Sequence, residues 1–303
     1  MQKTIHLDKC PVCGSAEIAV FEYCADYLTD NGLFSLCKCH SCGFVFTQDF
    51  PAEDEIGKYY LSENYTSHHE AKGLFGFAYK TVRSIMLNKK AALVRRFAKK
   101  GKILDIGSGQ GFFLHKMQTK GFEVAGIEKS EEVRVFAGKK FGIEVKAPET
   151  LGKQPAGNFD VVTMWHSLEH IEHLSETLQQ VHRVLKDDGT LIIALPNVKS
   201  YDHDHYRFYW AAYDVPRHLW HFSPETFKIL AQKNGFDIKK QKPMLFDVFY
   251  ISLLSERNKK SSERNRHLHH PVCRALLFGL WACLKTLVKP EKASSIIYVL
   301  KKK

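Results

Sequence analysis

Two groups of residues in this 303-residue chain have types and spacings that can do chemistry. The first is Cys10-Pro-Val-Cys13 together with Cys39-His-Ser-Cys42. Each C-x2-C turn aims two thiolates at one point, and two such turns complete a tetrahedral set for Zn2+. Four protein ligands close the coordination shell, so the expected ion is structural. A stretch this short has little core of its own, and the metal is expected to supply much of its folding energy. Cys24 and Cys37 are left over; Cys37 is an alternative to Cys39, but its spacing to Cys42 is less regular.

The second group follows the apolar run "KILDIG": Gly107, Ser108, Gly109 and Gly111, ahead of a helix expected from about Phe112. Glycines let a ligand approach the backbone, and a helix N-terminus presents free N–H groups. A dinucleotide loop reads G-x-G-x-x-G. Here the spacing is G-x-G-x-G, and Phe112 stands where the third glycine should fall, which argues against a pyrophosphate. Asp105, inside the strand, would repel a pyrophosphate but suits an ammonium group. Glu128, at the end of the next strand, can accept both hydroxyls of a ribose. An adenosine that carries an amino acid fits both carboxylates, and that ligand is S-adenosylmethionine.

Methyl transfer needs alignment of donor and acceptor and, for some acceptors, removal of a proton. Histidine is the natural base near neutral pH. His166 and His170 follow the run "FDVVTMW" four residues apart, and one helical turn would place them on the same face. His166 is read as lining the cofactor pocket or acting as the base, His170 as capping or packing a helix. Further on, "YDHDHYRFYWAAYDVPRHLWHFSPETF" (201–227) offers Arg217, His218 and His221 for substrate contact or proton removal. His166, His218 and His221 are thus the catalytic candidates. Asp105, Gly107, Ser108, Gly109, Gly111, Glu128 and His166 are the cofactor candidates, and Cys10, Cys13, Cys39 and Cys42 the metal ligands. His203, Asp204 and His205 make a poor metal site, because adjacent residues of an extended chain point opposite ways. Ser223 reads as a helix cap with proline in the first turn.

The elements that must position these residues alternate. "KILDIG", "EVAGIE", "GIEVKA", "FDVVTMW" and "GTLIIALP" are candidate strands with helical periods between them, a βαβ series and hence a parallel sheet covered by helices. The chain divides into a zinc ribbon (1–50), a linker and capping helix (51–100), the cofactor domain (101–246) and a basic helical segment with a final strand (247–303). Residues 239–303 hold 15 of the 44 Lys+Arg and 4 of the 33 Asp+Glu, equal to the whole net charge of +11. The residues before them balance at 29 of each sign. The positive field therefore belongs to the C-terminal segment. Within it, 271–289 is amphipathic, with Leu277, Leu280, Trp281, Leu284, Leu287 and Val288 on one face. That face is expected to pack on the domain, the alternative being peripheral contact with an anionic membrane. Residues 1–8 show no leader pattern, and no apolar run reaches the roughly 20 residues of a spanning helix. The reading is a cytoplasmic chain with reduced cysteines, membrane association being open through 271–289.

Over about residues 101–243 the sequence resembles the class I S-adenosylmethionine-dependent methyltransferases. The resemblance rests on "LDIGSGQGFF", on "EKS" at 128–130, and on "FDVVTMWHSLEHIEH" followed by "LKDDGTLIIALPN". "LEHI" before a helix and "DDG" before a strand are typical of the branch that includes ubiquinone-type O-methyltransferases. The resemblance implies a Rossmann-like α/β sheet of seven strands, the last antiparallel. "DIKKQKPMLF" and "SSIIYVL" would then form the final pair, with 247–293 inserted between them. Related chains carry a zinc ribbon and then a "YY…Y-x-S-H" segment, here Tyr59, Tyr60, Tyr65, Ser67 and His68, which would cap the cofactor or the substrate mouth or, equally, serve as a surface linker with aromatic anchors. The implied activity is methyl transfer to a small-molecule, glycan or lipid-linked acceptor. The alternative is an RNA methyltransferase holding phosphates with the ribbon and the basic segment. Against it, the ribbon region is not basic, and "MWHS" stands where a base-amine methyltransferase would carry an "NPPY"-type tetrapeptide. A non-catalytic docking protein is disfavoured by the intact Asp105, Gly107, Gly109, Gly111 and Glu128. The sequence leaves the oligomeric state open.

Overall fold

A computed structural model describes residues 3–29, 32–60, 73–262 and 270–303, with side chains from residue 80 onward in the first long helix. Tyr65, Ser67 and His68 lie outside the described residues.

The N-terminal part contains β1 (Thr4–Ile5), β2 (Ile18–Ala25), β3 (Leu33–Cys39), β4 (Val45–Thr47) and β5 (Phe50–Pro51). A long helix, α1 (Gly73–Val94), leads into the α/β domain. There β6 (Gly101–Ile106), α2 (Phe112–Gln118), β7 (Phe122–Ile127), α3 (Glu131–Phe141), β8 (Val145–Lys146), β9 (Phe159–Trp165), α4 (Leu174–Val184) and β10 (Leu185–Pro196) follow in turn. The chain then forms α5 (Tyr201–Tyr206), β11 (Trp220–His221), α6 (Pro224–Lys233), β12 (Phe236–Pro243), α7 (Asp247–Ser262), α8 (Pro271–Val288) and β13 (Ser295–Lys302).

Seven strands make one sheet in the order β12-β13-β10-β9-β6-β7-β8. The central strands read as near-continuous apolar runs because helices cover both faces; Ile103, Leu104, Val161, Val162, Met164 and Ile192 are all fully buried. β6 pairs in parallel with β7 on one side and β9 on the other. The chain thus winds outward through β7 and β8, then returns across β6. The crevice beyond the carboxyl ends of β6 and β9 is the topological switch point, where ligands bind in open α/β sheets. β13 runs antiparallel to both β10 and β12, and α7 and α8 lie within that last hairpin. α4 buries Leu174, Leu178, Val181 and Val184, the three-and-four spacing of a one-sided helix. α6 starts at a capping box on Ser223 with Pro224 in its first turn.

The ribbon is joined to this domain through its own sheet. β11 pairs antiparallel with β4, Trp220 opposite Phe46 and His221 opposite Val45, and completes a four-stranded sheet β11-β4-β3-β2. Cys10, Val12, Phe44, Phe46 and Phe50 belong to the same apolar cluster as Leu219, Trp220, Phe222, Phe227 and the sheet residues Leu104 and Met164. The core missing from residues 1–50 is supplied by the domain.

The expectation that the apolar face of 271–289 packs inward is corrected. α8 packs on its neighbours through Ala275, Gly279, Ala282 and Thr286, all buried. Their small size permits close approach: a Cβ on Gly279 would lie 2.6 Å from the Phe249 ring of α7. The large residues point outward instead, with Leu277 71% and Val288 79% exposed and Leu280, Trp281, Leu284 and Leu287 also exposed. By length and composition α8 is also apolar enough to cross a membrane, which narrows the earlier reading that no segment is. The stretch 201–206 is helical rather than extended. Its candidate ligands still do not gather at one point: His203 Nδ1 is 3.6 Å from Asp204, but Nε2 of His203 bonds Tyr213, Asp204 also bonds Lys292, and His205 turns away to stack on Phe278.

Candidate functional site at the switch point

Asp105, Gly107, Ser108, Gly109, Gly111 and Glu128 come together around the crevice at the ends of β6 and β7. The turn that bears them is held by two N–H groups: Gly107 and Ser108 both donate to the Ile127 carbonyl, at 2.8 and 3.0 Å. Gly107 has φ +74°, and a Cβ there would lie 2.4 Å from Cβ of Ser167, so glycine is required both by backbone and by space. Gly111 is the N-cap of α2 at φ +78°. Glu128 accepts from the Gly109 N–H at 2.9 Å through one oxygen and from the Ser130 N–H at 3.1 Å through the other. A carboxylate has about four acceptor positions, so roughly two remain for hydroxyl donors. Asp105 is buried and accepts a 2.6 Å bond from the Thr163 hydroxyl. Burial pushes its carboxyl up to about 7, against the pull of Thr163 and Lys90. Ser108 Oγ is buried without a hydrogen-bond partner among the described residues. An anchored carboxylate with spare acceptor positions, a second carboxyl beside it and an orphaned hydroxyl fit an adenosine that ends in an amino acid.

Four further residues at this crevice were not singled out from the sequence. Thr163 and Trp165 come from β9, Lys90 from α1, and Asp247 from the first turn of α7. The Lys90 ammonium sits 4.6 Å from the centre of the Trp165 ring. Burial lowers its pKa, while the charges of Asp105 and Asp247 oppose that. Nothing in "NKK" separates Lys90 from a solvated lysine, and Asp247 lies 81 positions after His166. A polar Thr163 amid the apolar run Val161–Trp165 was the one readable signal.

The histidines divide. His166 has φ +55°, and only residues 168–170 beyond it form a helical turn, so His166 and His170 do not share a helix face. His166 Nε2 is 3.1 Å from Asp247 Oδ2, and its Nδ1 is 3.6 Å from Glu169 Oε1. Burial disfavours the imidazolium, but the two carboxylates outweigh it and raise the pKa to about 9. At neutral pH His166 is therefore a cation, able to donate a proton and not to remove one. His221 is buried at 3% exposure and bonds the Thr47 hydroxyl at 3.0 Å, between ribbon and domain. Burial drives its pKa well down; the position gives it a packing role and takes it away from the crevice. Arg217 is likewise withdrawn from substrate contact. Its guanidinium is 1% exposed, grips Asp26 of the ribbon in a two-point contact and also bonds Asp214. His170 and His218 face one another with ring centroids 4.5 Å apart.

The four cysteines converge as their spacing implies. Cys10 and Cys42 Sγ atoms are 3.6 Å apart, Cys13 and Cys39 3.5 Å, and all four lie within 4.8 Å of one another. A tetrahedron with arms of about 2.3 Å has edges near ~3.8 Å, so the donor set matches the size of a thiolate-bound zinc.

A family of methyltransferase domains matches residues 80–241, more than half of the chain. The chain belongs to the class I S-adenosylmethionine-dependent methyltransferases. Among the relatives of this chain, the ubiquinone biosynthesis O-methyltransferase of Paraburkholderia phymatum is 33% identical over 109 residues, 33% of this chain and 47% of that protein. The protein of the same name from Pelagibacter ubique is 29% identical over 162 residues, 48% of this chain and 66% of that protein. The chain thus spans about half the length of the first curated relatives it matches. A structure from Galdieria sulphuraria, provisionally named as a sarcosine dimethylglycine methyltransferase, superposes with a TM-score of 0.50 at 16% identity, covering 73% of this chain and 86% of that one. At that identity the likeness shows the fold alone. The sheet order, with its antiparallel final hairpin, is the methyltransferase arrangement.

Proposed function

We propose that the protein transfers a methyl group from S-adenosylmethionine to a small amphiphilic acceptor, carried on or close to a lipid surface. When bound, the cofactor supplies an electrophilic methyl group on a sulfonium. Glu128 would hold the ribose hydroxyls, Asp105 the amino-acid end, and the turn 107–111 would seat the nucleoside against the sheet. The His166 cation, fixed by Asp247, would line the same crevice. The names of the relatives support a small-molecule acceptor. The observation that carries the lipid-surface part is α8: its outward face holds Val272, Leu276, Leu277, Leu280, Trp281, Leu284, Leu287 and Val288, with Lys285 and Lys289 exposed beside them. A helix with these two features binds anionic bilayers in the plane of the interface. RNA remains the second reading, favoured by the +11 charge of residues 239–303.

Two experiments test the proposal. Incubation with methyl-tritiated S-adenosylmethionine and a lysate lacking the protein should place label in an organic-extractable small molecule. Precipitable, ribonuclease-sensitive label would replace this reading with the RNA one. Separately, the protein should sediment with vesicles of phosphatidylglycerol and phosphatidylcholine, and a Leu277→Glu, Leu284→Glu variant should stay in the supernatant. Self-association without vesicle binding would mean that α8 meets a second copy instead.

We also propose that Cys10, Cys13, Cys39 and Cys42 hold a structural zinc. Because β11 belongs to both the ribbon sheet and the segment 201–227, stripping the metal with a chelator is expected to lower the melting temperature. It should also expose 201–221 to limited proteolysis. Cys39→Ala should behave in the same way without a chelator, and a metal content unchanged by Cys39→Ala would refute the assignment.

A further inference from the structure

We propose that a hollow between α1 and the turn from β12 into α7 holds a phosphate monoester on an apolar chain, and that it anchors the methyl acceptor. The hollow has a volume of about 270 Å3, close to the roughly 300 Å3 at which small-molecule sites begin. Its floor is apolar: Met86 and Leu93 from α1, Met244 from the turn and Ile297 from β13. Its rim is basic, with Lys89, Lys90, Arg96 and Lys242. Among the described residues no carboxylate lines it, and none pairs with Lys89, Arg96 or Lys242.

Helix spacing and sheet pairing build this arrangement together. Met86, Lys89, Lys90 and Leu93 follow the three-and-four spacing that places residues on one helix face. Arg96 continues that face, since its N–H bonds the Leu93 carbonyl at 3.1 Å in the turn after α1. On the other wall, the Met244 N–H bonds the Ser295 carbonyl at 2.9 Å, which fixes the β12–α7 turn to the start of β13. The Lys89 ammonium spans the two walls, 4.1 Å from the centre of the Phe246 ring. Burial and the neighbouring charges of Arg96 and Lys240 all lower the Lys242 pKa; the cations crowd one another.

A hollow lined by one sign of charge, with apolar walls, concentrates the opposite charge. A phosphate monoester carries about −1.5 to −2 near neutral pH and answers several cations better than the single charge of a carboxylate. Arg96 presents the planar fork that matches phosphate oxygens, and the lysines act as point charges beside it. The hollow also adjoins the crevice. Lys90 lines it and stands 4.6 Å from the centre of the Trp165 ring at the end of β9. Met244 and Trp165 belong to one apolar cluster, and the turn that forms the wall runs directly into Asp247. With its phosphate at the rim, the acceptor would lay its chain along the floor, past Lys90 and toward the cofactor. That role rests on the methyl-transfer reading; the binding does not.

The test is isothermal titration calorimetry of the full-length protein with monomeric octyl phosphate, in the presence of S-adenosylhomocysteine. One equivalent should bind per chain, with inorganic phosphate and octanol each at least 10-fold weaker. Arg96→Gln and Lys242→Gln, checked for unchanged melting temperature, should each weaken octyl phosphate about 10-fold. The Leu277→Glu, Leu284→Glu variant should bind it as the unsubstituted protein does, which separates the hollow from the outward face of α8. Absence of binding overturns the proposal, as does binding that survives both basic substitutions or is lost with the α8 face. Octanoate bound as tightly as octyl phosphate overturns the phosphate assignment. Tritium transfer without octyl phosphate binding would remove the subsite and leave methyl transfer standing; binding without transfer would do the reverse.

Discussion

Replacing Arg217 with methionine is expected to lower the unfolding free energy by about 3–5 kcal/mol, the cost of stranding a buried partner charge. The guanidinium and Asp26 are 1% and 0% exposed, and Asp214 is 16% exposed. Removing the cation leaves both carboxylates facing protein. Asp26 would retain only its local bonds, from the Leu28 N–H and the Thr29 hydroxyl. Lysine should not restore stability, because a point charge cannot make the two-point contact with Asp26 while bonding Asp214. The double variant Asp26→Leu, Arg217→Met should recover part of the loss, since it removes the stranded charge as well. Urea unfolding followed by circular dichroism measures all three. A loss within about 0.5 kcal/mol, ordinary for a surface substitution, would show that Arg217 does not tie the ribbon to the domain.

The second large effect is on the cofactor. Glu128→Ala should weaken binding of S-adenosylhomocysteine about 100-fold, measured by isothermal titration calorimetry. Two hydrogen bonds to a charged acceptor are at stake, each worth roughly 1.5–3 kcal/mol, and some of that is returned as water enters. Glu128→Gln retains one carbonyl acceptor and should fall between the two. The side chain is partly exposed, so the melting temperature should barely move. Unchanged affinity in the alanine variant would mean that Glu128 only braces Gly109 and Ser130.

How far the site could be read from the sequence depended on how local each signal was. Asp105, the glycine turn and Glu128 lie on one strand–turn–helix–strand unit, where neighbours in the chain are neighbours in space. Their roles follow from strand ends and turn conformation alone. The four cysteines were legible for the same reason, because each knuckle is a four-residue turn. The parallel part of the sheet was legible because five apolar runs at βαβ spacing admit few arrangements; seven strands and an antiparallel final hairpin were what the resemblance to the methyltransferase family implied.

Other features had no local signal. The imidazole of His166 is a cation because Asp247 reaches it from a helix in the last hairpin, and the spacing of His166 to His170 could not reveal the left-handed turn between them. Arg217 and His221 looked like candidates for substrate contact or proton removal; pairing of β11 with β4 carried them into the ribbon interface. For α8 the sequence determined that one face is apolar, and the structure decided that this face looks outward, because only the small residues of the opposite face fit against α7. Helix period and turn chemistry act within a few residues, and a sequence displays them. Burial, charge pairing and the direction an apolar face points are set by residues far along the chain, and only their packing decides them.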